Sequence, residues 1–172
     1  MYSGRIVDLW IEEVDLPNGH HLALEVIHHP GAAAITAIDP DGAIVLVRQY
    51  RHAVGGYILE LPAGKLDRGE LPATCALREL REETGLEAGE LIELGSIVTT
   101  PGFCNERIHL FLARGLTDAQ QALEQDEVLT VLRVPLAHAL EMIRRGEIQD
   151  AKSIAGLHLA TAWLQAESGS SR

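Results

Sequence analysis

The chain has 172 residues, 47% of them hydrophobic, enough to bury one core, so a single domain is expected. Lys and Arg total 14 against 25 Asp and Glu, a net charge of −11, which repels a polyphosphate backbone and argues against nucleic acid, while a small anion held by arginines and a metal stays open. No apolar run reaches the ~18 residues of a membrane span. The N-terminal stretch with Asp8, Glu12 and Glu13 does not read as a signal peptide, and Cys75 and Cys104 are too few for a disulfide framework; a cytoplasmic protein with reduced thiols and no membrane partner is expected.

Residues 5–16 and 20–28 read as strands, and Pro17-Asn18-Gly19 between them suits a tight reversal, which makes an N-terminal antiparallel hairpin. A second pair is expected from residues 32–38 and 43–50 across the turn Asp39-Pro40-Asp41-Gly42. Within it, Ala43-Ile44-Val45-Leu46-Val47 reads as a buried strand. Arg48 and Arg51 end that strand, and alternation is read as placing both on one face. A short strand over residues 57–61 leads into Pro62-Ala63-Gly64.

From Pro72 to Thr84 the apolar residues Ala73, Ala76, Leu77 and Leu80 follow helical spacing, with Pro72 in the first turn and Gly85 just past the end. Strands are expected again over residues 91–99, 108–113 and 129–134, and helices over 136–145 and 151–165. The polar, acidic stretch 115–127 is read as a mobile lid, and the Ser/Gly-rich residues 167–172 as a frayed tail. Strands followed by helices, without regular βαβ alternation, favour an α+β sandwich in which helices cover a mixed sheet. The expected organisation is a hairpin extension over residues 1–30, a main domain over 31–166 and the tail.

On the helix over residues 72–84, Glu79, Glu82 and Glu83 gather on a face away from the apolar one, with Glu70 just upstream. Such a cluster repels itself unless something positive sits in it. Oxygen donors without His or Cys suit Mg²⁺ or Mn²⁺ better than zinc. The same spacing also describes a solvated acidic face tethered by Arg78 and Arg81.

The wider pattern discriminates between these. Gly64, five residues, Glu70, seven residues, then Arg78-Glu79-Leu80-Arg81-Glu82-Glu83-Thr84-Gly85-Leu86 resembles the Nudix box at every fixed position. Around it, Ser3-Gly4-Arg5-Ile6-Val7-Asp8-Leu9, the Asn18-Gly19 hairpin, Val47-Arg48-Gln49-Tyr50-Arg51, Pro101-Gly102-Phe103 and Asp150-Ala151-Lys152 resemble the ADP-ribose pyrophosphatase branch of the Nudix hydrolases. The resemblance implies a Nudix-type α/β/α sandwich and metal-dependent hydrolysis of ADP-ribose to AMP and ribose 5-phosphate. Alternatives are another nucleoside diphosphate sugar or dinucleotide, such as GDP-mannose or FAD, and a non-catalytic ADP-ribose-binding module.

By the same resemblance Glu79, Glu82, Glu83 and the carbonyl of Ala63 hold Mg²⁺ or Mn²⁺, with Arg78 orienting the glutamates. Arg51 contacts phosphate, with Arg48 as a second candidate, and Glu25 belongs to the nucleoside site on the hairpin, through which a homodimer is implied. Glu106, after Pro101-Gly102-Phe103, is a candidate contact to substrate or metal-bound water. Glu82, Glu106, Glu124 and Glu127 are the candidate catalytic acids, because Gln125 stands where the branch carries a glutamate that positions water, and an amide is no base. Leu24 replaces the branch's Arg before Glu25. Other residues carry plainer readings. His20-His21 and His28-His29 point to opposite strand faces and read as surface histidines, Cys75 and Cys104 as passive thiols, and Trp163 with Ile154, Leu157 and Leu164 as helix packing. Trp10 is open between core, dimer interface and ligand contact.

Overall fold

The computed structural model describes residues 2–4, 7–123 and 127–170, so the expectations on Arg5, Glu124 and Gln125 fall outside the described residues. β1 (Tyr2–Ser3), β2 (Asp8–Asp15) and β3 (His21–His28) form an antiparallel sheet of their own. β2 and β3 are the expected hairpin, in register from Asp8 opposite His28 to Asp15 opposite His21. The end of β3 is stitched to the body. Ile27 N donates to Phe103 O at 2.7 Å, Asn105 N donates to Ile27 O at 3.2 Å, and His29 N donates to Asn105 Oδ1 at 2.8 Å.

The second expected pair does not form a hairpin. β4 (Ala32–Ala37) and β5 (Ala43–Arg51) lie in different sheets, joined at the turn by an isolated bridge between Ile38 and Ile44. β4 pairs antiparallel with β7 (Ala63–Lys65) and parallel with β9 (Arg107–Asp118), whose far edge carries β8 (Leu86–Val98). β5 lies between β6 (Gly56–Glu60) and β10 (Leu129–Pro135). The cause is burial. Every residue of β4 and residues 44–47 of β5 are buried, and strands apolar on both sides need cover on both faces, which one two-stranded ribbon cannot provide. The 39–42 turn therefore passes the chain from one sheet to the other.

Helices cover the mixed sheet from both sides, as the sequence pattern implies. On one face Cys75, Ala76 and Leu80 of α1 (Pro72–Thr84) pack with Ala33, Ile35 and Phe111. On the other, Ala155 of α3 (Ala151–Ser170) meets Ala32, Ala34 and Leu110. Met142 of α2 (Leu136–Arg144) and Leu157 of α3 close over Ile44, Leu46 and Leu61. Each fully buried Leu contributes roughly 2 kcal/mol through removal from water, and these clusters draw on β4 and β5, with β7, which carries Ala63 and Gly64, paired to β4.

The expected frayed tail is helical through residues 167–170. Arg114 supplies the reason, since its Nη1 lies 2.8 Å from Glu167 Oε2 while its guanidinium stacks 4.9 Å above the Trp163 ring. No described helix is long and apolar enough to cross a membrane.

Candidate active site

α1 begins at Pro72, whose missing N–H costs nothing in a first turn, and stops at Gly85. Gly85 takes φ 68° and ψ 32° and donates its N–H to Arg81 O at 2.9 Å, a left-handed cap that a side chain would strain. The helix is turned differently from the sequence expectation. Ala73 and Leu77 are exposed, and the inward face is Cys75, Ala76, Glu79, Leu80 and Glu83. Two glutamates thus occupy core-facing positions where the apolar stripe alone would have put Ala73 and Leu77. Glu83 is 2% exposed and Glu79 8%.

Backbone contacts explain why the helix accepts this. Ala63 N donates to Glu83 Oε2 at 3.0 Å, and β7 runs so close to α1 that a Cβ on Gly64 would lie 1.8 Å from Glu79 Oε1. Gly64 is glycine because the Glu79 carboxylate fills the place of its side chain. Arg78 then ties the surrounding acids. It reaches Glu70 through Nε to Oε1 and Nη2 to Oε2, both at 2.9 Å, while its Nη1 contacts Glu79 Oε1 at 2.7 Å and Glu82 Oε2 at 3.1 Å. Arg78's hydrogen bonds hold the Glu70 carboxyl down at about 2, and those same bonds, Glu70's first, raise Arg78's own pKa further.

Glu79, Glu83 and Glu127 each offer an oxygen within 4.8 Å of the others. Burial first, then the charge of Glu79, pushes the Glu83 carboxyl up to about 8. Burial likewise raises Glu79, against the pull of Arg78. Such a group costs free energy when ionised without a compensating cation. Three oxygen donors converging in a partly buried cleft, already deprived of water, fit a hard divalent ion such as Mg²⁺ or Mn²⁺. Glu82 is absent from this group among the described residues, since its carboxylate is turned to Arg78.

The stretch expected as a mobile lid is anchored in its first half. Residues 115–118 belong to β9, and the next turn docks on the carbonyl end of α1. Ala119 N donates to Gly85 O at 2.7 Å, Ala122 N to Glu82 O at 3.0 Å and Gln121 Nε2 to Glu83 O at 2.6 Å, which satisfies carbonyls that a helix end leaves open. Glu127 stands beside Glu79 and Glu83.

Arg48 and Arg51 are on opposite faces of β5, which corrects the expectation of one shared face: residues three apart on a strand alternate out of phase. Arg48 is exposed and stacks 4.1 Å above the Tyr57 ring. Arg51 turns inward, donates from Nε to Glu60 Oε2 at 2.8 Å, and its charge favours ionised Glu83. Glu106 accepts from Thr99 Oγ1 at 2.7 Å and lies 3.4 Å from His29 Nδ1. His29 is not the surface residue expected, since its side chain is mostly buried and its Nδ1 accepts from Gly31 N at 3.1 Å. Glu25 is exposed on β3 opposite Ile11, and exposed Trp10 lies against His28, with ring centres 5.4 Å apart.

Sequence reasoning passed over Glu60, 3% exposed, and gave Lys152 no role. The acid of the Leu59-Glu60-Leu61 run, flanked by apolar residues in a strand just ahead of the box, was the available signal.

Known proteins resemble the chain along most of its length. A NUDIX domain profile matches residues 27–157. An ADP-ribose pyrophosphatase of Bacillus subtilis is 42% identical over 155 residues, 89% of this chain and 84% of that protein. A methanol dehydrogenase activator of Bacillus methanolicus is 42% identical over 167 residues, 96% and 88% of the two chains, and a GDP-mannose pyrophosphatase of Escherichia coli is 40% identical over 148 residues, 76% of each. The fold is shared with a solved ADP compounds hydrolase at a TM-score of 0.84, with 24% identity and coverage of 97% of this chain and 91% of the other. A profile match that spans both cores and the whole box leaves one assignment: the chain belongs to the NUDIX domain family.

Proposed function

We propose that the protein hydrolyses the diphosphate of nucleoside diphosphate sugars in the cytoplasm, with ADP-ribose cut to AMP and ribose 5-phosphate. The observation that carries this reading is the convergence of Glu79, Glu83 and Glu127 within 4.8 Å in a chain so similar to an ADP-ribose pyrophosphatase. Glu79 and Glu83, with the carbonyl of Ala63, would hold Mg²⁺ or Mn²⁺, with Glu127 facing them. When bound, such an ion supplies Lewis acidity and neutralises the charge of the diphosphate. Glu82 helps to set Arg78, whose Nη1 it shares with Glu79.

Arg51 binds a phosphate through its terminal nitrogens, a planar fork matched to phosphate oxygens; Arg48, on the opposite face, does not share that task. Glu127 takes a proton from the attacking water as its oxygen bonds to phosphorus, and the bridging oxygen leaves with the other phosphate. Glu106, held by Thr99, is the weaker candidate for that proton and the candidate contact to substrate. Glu124 is the remaining candidate acid, outside the described residues.

Glu25 and its exposed apolar neighbours on the hairpin serve in a homodimer, where a second copy covers them. A second reading, preference for another nucleoside diphosphate sugar such as GDP-mannose, draws on Leu24 standing where the ADP-ribose branch carries Arg, and on the GDP-mannose pyrophosphatase relative. The test is product analysis with Mg²⁺ and a panel of ADP-ribose, GDP-mannose and FAD. AMP and ribose 5-phosphate are expected from ADP-ribose, and EDTA should abolish them. Turnover undiminished in excess EDTA, or none with any member of the panel, overturns the reading, and tight binding of ADP-ribose without turnover identifies a binding module instead.

A further inference from the structure

Beside the carboxylate cluster lies a second set of charges, of which the proposed reaction uses Arg51 alone. Glu60, at the end of β6, is buried, yet each of its oxygens takes a cation: Arg51 Nε donates to Oε2 at 2.8 Å and Lys152 Nζ to Oε1 at 2.5 Å. Lys152 Nζ also lies 3.0 Å from Asp150 Oδ2. That oxygen accepts from Ser153 N at 2.9 Å and from Ser153 Oγ at 2.5 Å, and Ser153 Oγ in turn accepts from Leu61 N at 2.7 Å.

Asp150, Lys152, Glu60 and Arg51 therefore form a chain of alternating sign, from the first turn of α3 across β6 to the end of β5. Three of its four members are largely shielded from water, with side-chain exposures of 18%, 11% and 4% for Asp150, Lys152 and Glu60, while that of Arg51 is 42% exposed. A half-exposed arginine has rotamer entropy to lose when it docks on a ligand. One whose Nε is already fixed has lost part of it in advance, and the fork beyond that contact is aimed.

We infer that Glu60 is a positioning residue for Arg51, and that the Asp150–Lys152 pair at the start of α3 holds the other oxygen of Glu60 for that purpose. A buried carboxylate bearing Arg51 alone would have one oxygen uncompensated; Lys152 fills that oxygen and is itself balanced by Asp150. α3 thereby acts on Arg51 through Glu60. The inference rests on the proposed reading of Arg51 as a phosphate contact.

The test is a double-mutant cycle of wild type, Arg51→Met, Glu60→Gln and the double variant, each checked by circular dichroism. Binding of α,β-methylene-ADP with Mg²⁺ is measured by calorimetry, and kcat and KM with ADP-ribose. Each single change is expected to weaken analogue binding ~tenfold or more, and the double variant should be no weaker than Arg51→Met, because Glu60 has nothing to position once the guanidinium is gone. Lys152→Met should weaken binding in the same direction, and also lose its effect in the Arg51→Met background; it replaces Glu60→Gln in the cycle if that variant does not fold. Losses that add, or a Glu60→Gln protein that binds like the wild type, overturn the inference while leaving the proposed function standing. A wild type that neither binds the analogue nor hydrolyses any diphosphate sugar defeats the proposed function, and the inference with it.

Discussion

α1 and the β2–β3 hairpin break the usual partition of apolar and charged residues in opposite directions. α1 turns Glu79 and Glu83 inward and leaves Leu77 40% exposed. The hairpin has no buried residue, and Ile11 is 60% and Trp10 42% exposed. Buried carboxylates call for a cation, and an uncovered apolar ribbon calls for another surface, since a two-stranded ribbon is marginal alone. Each region thus leaves a deficit within the single chain, and the two deficits differ in kind, one electrostatic and one hydrophobic.

The sharpest way to break the comparison is at Glu83. Glu83→Gln keeps the shape of the side chain and removes the charge, so kcat should fall by roughly three orders of magnitude with circular dichroism unchanged. A loss under tenfold would return α1 to the status of an acidic face. Glu127→Gln should lower kcat by about a hundredfold with little change in KM, because a proton acceptor acts on the barrier and not on ground-state binding; equal changes in both constants would mark Glu127 as a binding group.

A smaller effect is expected on stability. The folded Glu83 carboxyl titrates near 8 against an ordinary value of 4.5, so folding favours its protonated form. In metal-free protein its contribution is fully present below about pH 4.5 and is lost as pH rises through about 8. Tm in EDTA should therefore fall by several degrees across that interval relative to Glu83→Gln, and Mg²⁺ should restore most of the loss at the alkaline end. A metal-free wild type whose pH profile parallels that of the variant would contradict this. On the other side of the comparison, light scattering at micromolar concentration should give twice the 18.7 kDa chain mass, and Ile11→Asp should return it to the chain mass while leaving the fold of the main domain intact. A wild type of single-chain mass would mean that the hairpin's apolar side has another partner or none.

Much of the fold was legible in the residues because it follows local rules. The reversal at Asn18-Gly19, Pro72 and Gly85 at the two ends of α1, and most of the strand and helix order needed only turn chemistry and periodicity, which passed over the short β1 and β7. The box spacing likewise announced a glutamate cluster. What periodicity could not supply was direction. It assigned α1 an inward face through Ala73 and Leu77, because apolar residues ordinarily turn in, and had no way to weigh that preference against the Ala63 N–H and the empty side of Gly64, which receive the carboxylates from a strand outside the helix.

The sequence by itself determined the elements, the family resemblance and the kind of chemistry, since these rest on residue type and spacing along the chain. Tertiary structure alone decided which groups meet. It split β4 and β5 between two sheets because both faces of each needed cover, brought Glu127 to Glu79 and Glu83 across 44 positions of chain from Glu83, and set Lys152 on Glu60. Contacts of that kind are fixed by the packing of separate elements around a shared core, and no local pattern in the chain encodes them.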